Sequence, residues 1–124
     1  MIAFLPIREQ RLVQELAQKE GVRASFGYAV FEKNELSAYV LYDISGEEGV
    51  LVRIGGEYDC LTAEGLVRSV LSSLYDANIL RARFLNGFPD ALIHALKMTK
   101  DDSREVESIP DVLFHCGCQK CCSN

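Results

Sequence analysis

The sequence predicts a mixed α/β (α+β) domain. Its sheet is mostly antiparallel with one parallel pair, formed by a three-strand meander and a βαβ unit with flanking helices. Three observations predict this. Apolar residues recur at period two in three consecutive short runs between residues 25 and 54. A longer run at residues 62–78 follows helical spacing, and a strand-like run comes directly after it. Only a few turn residues separate these segments.

The first element is a helix. Leu12, Val13, Leu16 and Ala17 recur at helical spacing between Arg8 and Glu20, with polar residues between them, and Gly21 stands where a helix stops. From Ser25 the period is two. Phe26, Tyr28 and Val30 alternate with Gly27, Ala29 and Phe31, and Lys33-Asn34 turns the chain. Leu36, Ala38, Val40 and Tyr42 alternate with Ser37, Tyr39 and Leu41. A second turn at residues 45–49 leads into Val50-Leu51-Val52-Arg53-Ile54. Short connections make these three strands an antiparallel meander.

Beyond Gly55-Gly56, the residues Leu66, Val67, Val70, Leu71, Leu74 and Tyr75 line one face of a long helix. Thr62 is positioned to cap its start and Asn78 to close it. Ile79 to Leu85 reads as a strand with Leu80, Ala82 and Phe84 inward and Arg81 and Arg83 outward. Strand, helix and strand in this order form a βαβ unit. Pro89 suits the first turn of a last helix with Ala91, Leu92, Ala95 and Leu96 on its apolar face. Val106–Ile109 and Val112–Phe114 are short strand candidates around Pro110.

The 124 residues suit one domain over residues 1–114, followed by a cysteine-rich tail at 115–124. A formal net charge of −5, with acid in excess in both halves, argues against nucleic acid as a partner. No apolar run approaches the roughly 20 residues that span a bilayer. The start of the chain lacks the basic region of a signal peptide. Four of the five cysteines cluster after residue 115, a layout unlike a secreted disulfide framework. Together these readings predict a cytoplasmic protein.

The order helix, three-strand meander, βαβ, helix and terminal strands, over roughly Arg8 to Phe114, resembles the GNAT acetyltransferase fold with its first strand and helix shortened or missing. In that family a Gln/Arg-x-x-Gly-x-Gly/Ala turn ahead of the central helix holds the pyrophosphate of acetyl-CoA. Unpaired N–H groups and the positive dipole end of a helix favour an anion there. Aligned on the apolar pairs of the helix, the turn falls on Tyr58-Asp59-Cys60-Leu61-Thr62-Ala63. Tyr58 replaces the Gln/Arg, Leu61 replaces the first Gly, and Ala63 fits. Glu57 and Asp59 bring negative charge beside the anion position. The family's second landmark is an Asn, then an Ala and a thiolate-protonating Tyr on the next helix. Ala91 matches the Ala, Ala95 stands at the Tyr position beside His94, and Asn86 lies in the loop but out of step.

The resemblance implies acyl transfer from acetyl-CoA to a small-molecule amine, with Gly55, Gly56, Leu61, Thr62 and Ala63 as cofactor-binding residues. Gly55-Gly56 reads either as the bulge that splays two parallel strands or as a plain exit turn. Glu57, by position, and His94 are the candidates for acid–base catalysis, His94 also reading as an ordinary surface residue. Cys60, at a helix start, is either a reactive thiol or a small buried side chain.

In the tail, Cys118-x-x-Cys121 has the spacing of a zinc or redox pair. Cys116 and Cys122, with His115, would complete a set for zinc or another thiophilic metal, and the alternative is a free, solvent-exposed tail. Two further readings therefore stand beside the transferase: a non-enzymatic binding module on the same fold, and a metal-binding or thiol-redox protein acting through its tail.

Overall fold

The computed structural model describes residues 2–100 and 103–115. Cys116, Cys118, Cys121 and Cys122, the expected metal ligands, lie outside them. Six strands form one sheet in sequential order: β1 (Ile2–Pro6), β2 (Phe26–Glu32), β3 (Glu35–Ser45), β4 (Glu48–Gly56), β5 (Arg81–Gly87) and β6 (Glu105–Val106). All neighbours are antiparallel except β4 and β5, which are parallel. Helix α1 (Gln10–Glu20) covers one face, while α2 (Cys60–Asp76) and α3 (Asp90–Leu96) pack on the other side.

The meander forms as its periodicity dictates. Lys33 and Asn34 both have positive φ, the two-residue hairpin geometry that follows the strand twist. Alternation sends Tyr28, Val30, Val40 and Tyr42 to the α2 core and Ala29, Tyr39 and Leu41 to the α1 core. Phe26, Tyr28 and Tyr42 stack on the α2 face, the Tyr42 ring centroid lying 5.4 and 6.5 Å from the other two. Burial pushes the Tyr42 phenol up from its ordinary value.

Five expectations are corrected. The first strand is present: Ile2–Pro6 pairs along β2 and Phe4 packs against the α2 core, in a run too short to show a period. Asp59, not Thr62, caps α2. Leu80 is 53% exposed. It precedes the paired residues of β5, and Ile79 takes the buried place, its N–H bonded to Leu74 O at 2.9 Å. On α3 the buried residues are Ile93 and Leu96, and Ala91 and Ala95 face solvent. The last segment is not a strand. Beyond Pro110 the chain winds into one π-type turn (Asp111–His115) against α2, where Arg68 Nη1 donates to Val112 O at 3.1 Å and Phe114 meets Tyr75 edge-on.

Candidate functional site

The feature that organises a site is the gap where β4 and β5 part. Their parallel pairing runs from Glu48↔Arg81 to Leu51↔Phe84 and ends at Arg53↔Gly87. Strand β4 continues three residues further, paired only with β3. Glu57 N–H donates to Ser37 O at 2.8 Å, and antiparallel bonding alternates. In that register Tyr39↔Gly55 exchanges backbone bonds, whereas Ile54 and Gly56 turn their backbone polar groups toward β5. These groups face the gap without a strand to satisfy them. Gly55, by contrast, spends its backbone bonds on β3.

The bulge lies upstream of the glycine pair. Register slips between Leu41 and Tyr42 on β3, and Val52 is the extra residue on β4. The glycines have other reasons. A Cβ on Gly55 would stand 2.5 Å from the Tyr39 ring, so the bare backbone lets Tyr39 lie against it. Gly56 adopts φ +85°, and its Cβ would meet Ala38 Cα at 2.7 Å. The pair is thus the close of β4, packed tightly on β3.

The bulge re-aims one side chain. Val52 and Arg53, consecutive in sequence, both reach the α1 face, and Ile54 returns to the α2 core. Arg53 Nε lies 2.7 Å from Glu20 Oε1 at the end of α1. The buried Tyr39 hydroxyl donates to Glu20 Oε2. Burial first, then the hydrogen bond to Glu20 and its negative charge, push the Tyr39 phenol up to about 12, while Arg53 opposes the shift. Tyr39 therefore stays a hydrogen-bond donor at neutral pH. Sequence reading missed this trio, for its members sit on three different elements.

On the other face, α2 begins beside the gap. Asp59 Oδ1 accepts from Thr62 N–H at 2.8 Å. That bond first, with smaller help from the Leu61 N–H, holds the Asp59 carboxyl below its ordinary value. Ala63 N–H bonds to Asp59 O at 2.9 Å. Of the expected cofactor residues, Leu61, Thr62 and Ala63 are therefore at the helix start, where the Asp59 carboxylate is already seated on the Thr62 N–H and the Ala63 N–H is bonded within the helix. Cys60 is exposed rather than buried, since the first helical residue points away from the sheet.

Glu57 and His94 are not brought together. Glu57 borders a cleft of about 370 Å³ with Glu32, Ser37, Tyr58, Asp59 and Thr62, which takes no residue from β5. His94, on the exposed side of α3, borders a groove of about 640 Å³ with Asp90, Lys97 and Lys100. The far wall of the gap is fixed by Arg104. It pairs with Asp90 at 2.7 Å and donates to the carbonyls of Leu85 and Phe88, bracing the passage from β5 to α3. Among the described residues no three His, Cys, Asp or Glu side chains gather as a metal site. No helix among them is long and apolar enough to cross a membrane.

No family model matches the chain, and no curated protein matches it in sequence. Solved structures do match in fold. YhhK of Escherichia coli, an N-acetyltransferase-like protein solved with coenzyme A, is 14% identical with a TM-score of 0.57, covering 85% of this chain and 96% of its own. A Clostridium acetobutylicum protein assigned to the acetyltransferases, solved with acetyl-CoA, is 10% identical with a TM-score of 0.57, covering 82% and 92%. A GNAT-family acetyltransferase from Staphylococcus aureus is 7% identical with a TM-score of 0.53, covering 76% and 80%.

Proposed function

The chain has a GNAT-like fold, and we propose that it binds acyl-CoA in the gap between β4 and β5 and transfers the acyl group to an amine. One observation carries this reading: the backbone groups of Ile54 and Gly56 face a gap that β5 leaves at Gly87. A pantetheine arm is a polar amide chain and supplies what a missing strand would. In this reading the Gly56 N–H polarises the thioester carbonyl. The coenzyme A and acetyl-CoA held by YhhK and the Clostridium protein support the same assignment.

The pyrophosphate position fits less well. Asp59 puts a fixed negative charge on the helix start that would otherwise attract phosphate. Binding at that point requires the carboxylate to yield or the phosphates to stand off it. This observation favours a second reading, a binding module on the same fold that performs no acyl transfer. Thermal unfolding with acetyl-CoA tests the first reading. A ligand at ~100 times its Kd raises stability by about 2.7 kcal/mol. No shift at millimolar acetyl-CoA rejects acyl-CoA binding, and a shift without release of free thiol in the presence of amines selects the binding module.

A further inference from the structure

The α1 face of the gap carries a charged group that the acyl carrier does not use. Arg53 is the last residue of β4 opposite β5, and the bulge at Val52 puts its side chain on the α1 face rather than in the α2 core. Its Nε is buried and lies 2.7 Å from Glu20 Oε1, a charge contact without hydrogen-bond alignment, yet 41% of the side chain is exposed. Among the described residues its ion-pair partner is Glu20. The carboxylate that anchors it is itself fixed, because the buried Tyr39 hydroxyl holds the second oxygen of Glu20. The result is a planar, partly exposed guanidinium with a fixed carboxylate at its side.

We propose that this cluster is the acceptor subsite and that the acceptor is an α-amino acid, its carboxylate on the fork of Arg53 and its ammonium beside Glu20. The assignment rests on the acyl-transfer reading above. A gap between two strands opens to both faces, and a carrier that runs to the start of α2 occupies the α2 face. The acceptor is left the α1 face. Charge then selects its class. A pure anion would meet Glu20, and a simple amine would leave the fork unfilled. A zwitterion, with both charges on one carbon, matches an Arg–Glu pair in direct contact. Arginine suits the role because its fork bonds a carboxylate in two places while its charge still faces Glu20, which a lysine cannot do. In the transfer the amine nitrogen forms a bond to the acyl carbon as the C–S bond breaks. Of the two protons that the ammonium loses, one passes to solvent by way of Glu20 and one goes to the departing thiolate.

The test is ligand binding by saturation-transfer NMR on the full chain, with the twenty L-amino acids and the decarboxylated amine of each as probes. At least one amino acid is expected to bind, and its amine at least tenfold more weakly. Arg53→Gln is expected to weaken that amino acid tenfold or more while acetyl-CoA still stabilises the protein. Should Arg53→Gln fail to fold, Arg53→Lys keeps a charge for Glu20 and is expected to lose the preference for amino acid over amine. The proposal is overturned if no amino acid binds, if amines bind equally well, or if the Arg53 variant that folds retains wild-type affinity and preference. Amino-acid binding is read without acetyl-CoA, so loss of acetyl-CoA stabilisation alone rejects the acyl-transfer reading and not the subsite.

Discussion

Replacing Tyr39 with Phe removes one hydroxyl and leaves the ring against Gly55. The hydroxyl donates to the Glu20 carboxylate from a buried position. A hydrogen bond to a charged group contributes about 1.5–3 kcal/mol, so Tyr39→Phe should lose about 2 kcal/mol at pH 7. At ~2.1 cal/mol/K per residue of unfolding entropy, that lowers the Tm of a domain this size by roughly 8 °C. The same interaction gives a pH signature. The Tyr39 phenol is raised from 10.0 to about 12, so its contribution is complete below pH 10. Above pH 10 the unfolded chain loses its proton first, and stability falls until the folded chain also titrates near 12. The full span is about 2.7 kcal/mol, of which about 1.4 has gone by pH 11. Urea unfolding followed by circular dichroism between pH 7 and 11 should therefore show wild type and Tyr39→Phe converging as pH rises. The other tyrosines are common to both proteins and cancel in the difference. A gap that stays constant from pH 8 to 11, or no gap at pH 7, refutes the assignment of Tyr39 as a buried donor to Glu20.

Two further substitutions follow from the site. Asp59→Asn keeps a good cap and removes the charge, so calorimetric affinity for coenzyme A should rise about threefold to tenfold at low ionic strength and the gain should shrink with salt; unchanged affinity means that phosphate never approaches the start of α2. Gly55→Ala drives a methyl group to 2.5 Å from the Tyr39 ring, and thermal melts should show a loss of about 1–3 kcal/mol; a wild-type melt would mean that the ring does not rest on Gly55.

Helix α1 and the meander were legible because their signals are local. Val13, Leu16 and Ala17 mark the buried stripe of α1, Gly21 ends it in the left-handed region, and Lys33-Asn34 sets the hairpin. Helix α2 was equally plain from Leu66 to Leu74. Its cap was readable too. Asp59 stands three residues before Thr62, the spacing of a side-chain oxygen bonded to a backbone N–H. Faces were harder to read where segments were short. Over the seven residues of α3, Ala91, Leu92, Ala95 and Leu96 make a plausible stripe. The helix instead buries Ile93 and Leu96, because the core it meets is already set by Phe84 and Phe88.

By itself the sequence determined the order of elements from α1 to α3 and the single parallel pair, since hydrophobic period and turn residues act over a few neighbours. Tertiary structure alone decided what stands at the gap between β4 and β5. A bulge shifts every later side chain of a strand to the opposite face, and nothing in Val50-Leu51-Val52-Arg53 marks where the extra residue falls. Glu20, Tyr39 and Arg53 come from α1, β3 and β4 and meet only when the helix docks on the sheet. Contacts between distant residues are set by packing geometry, and a pattern that repeats within one element carries no information about them.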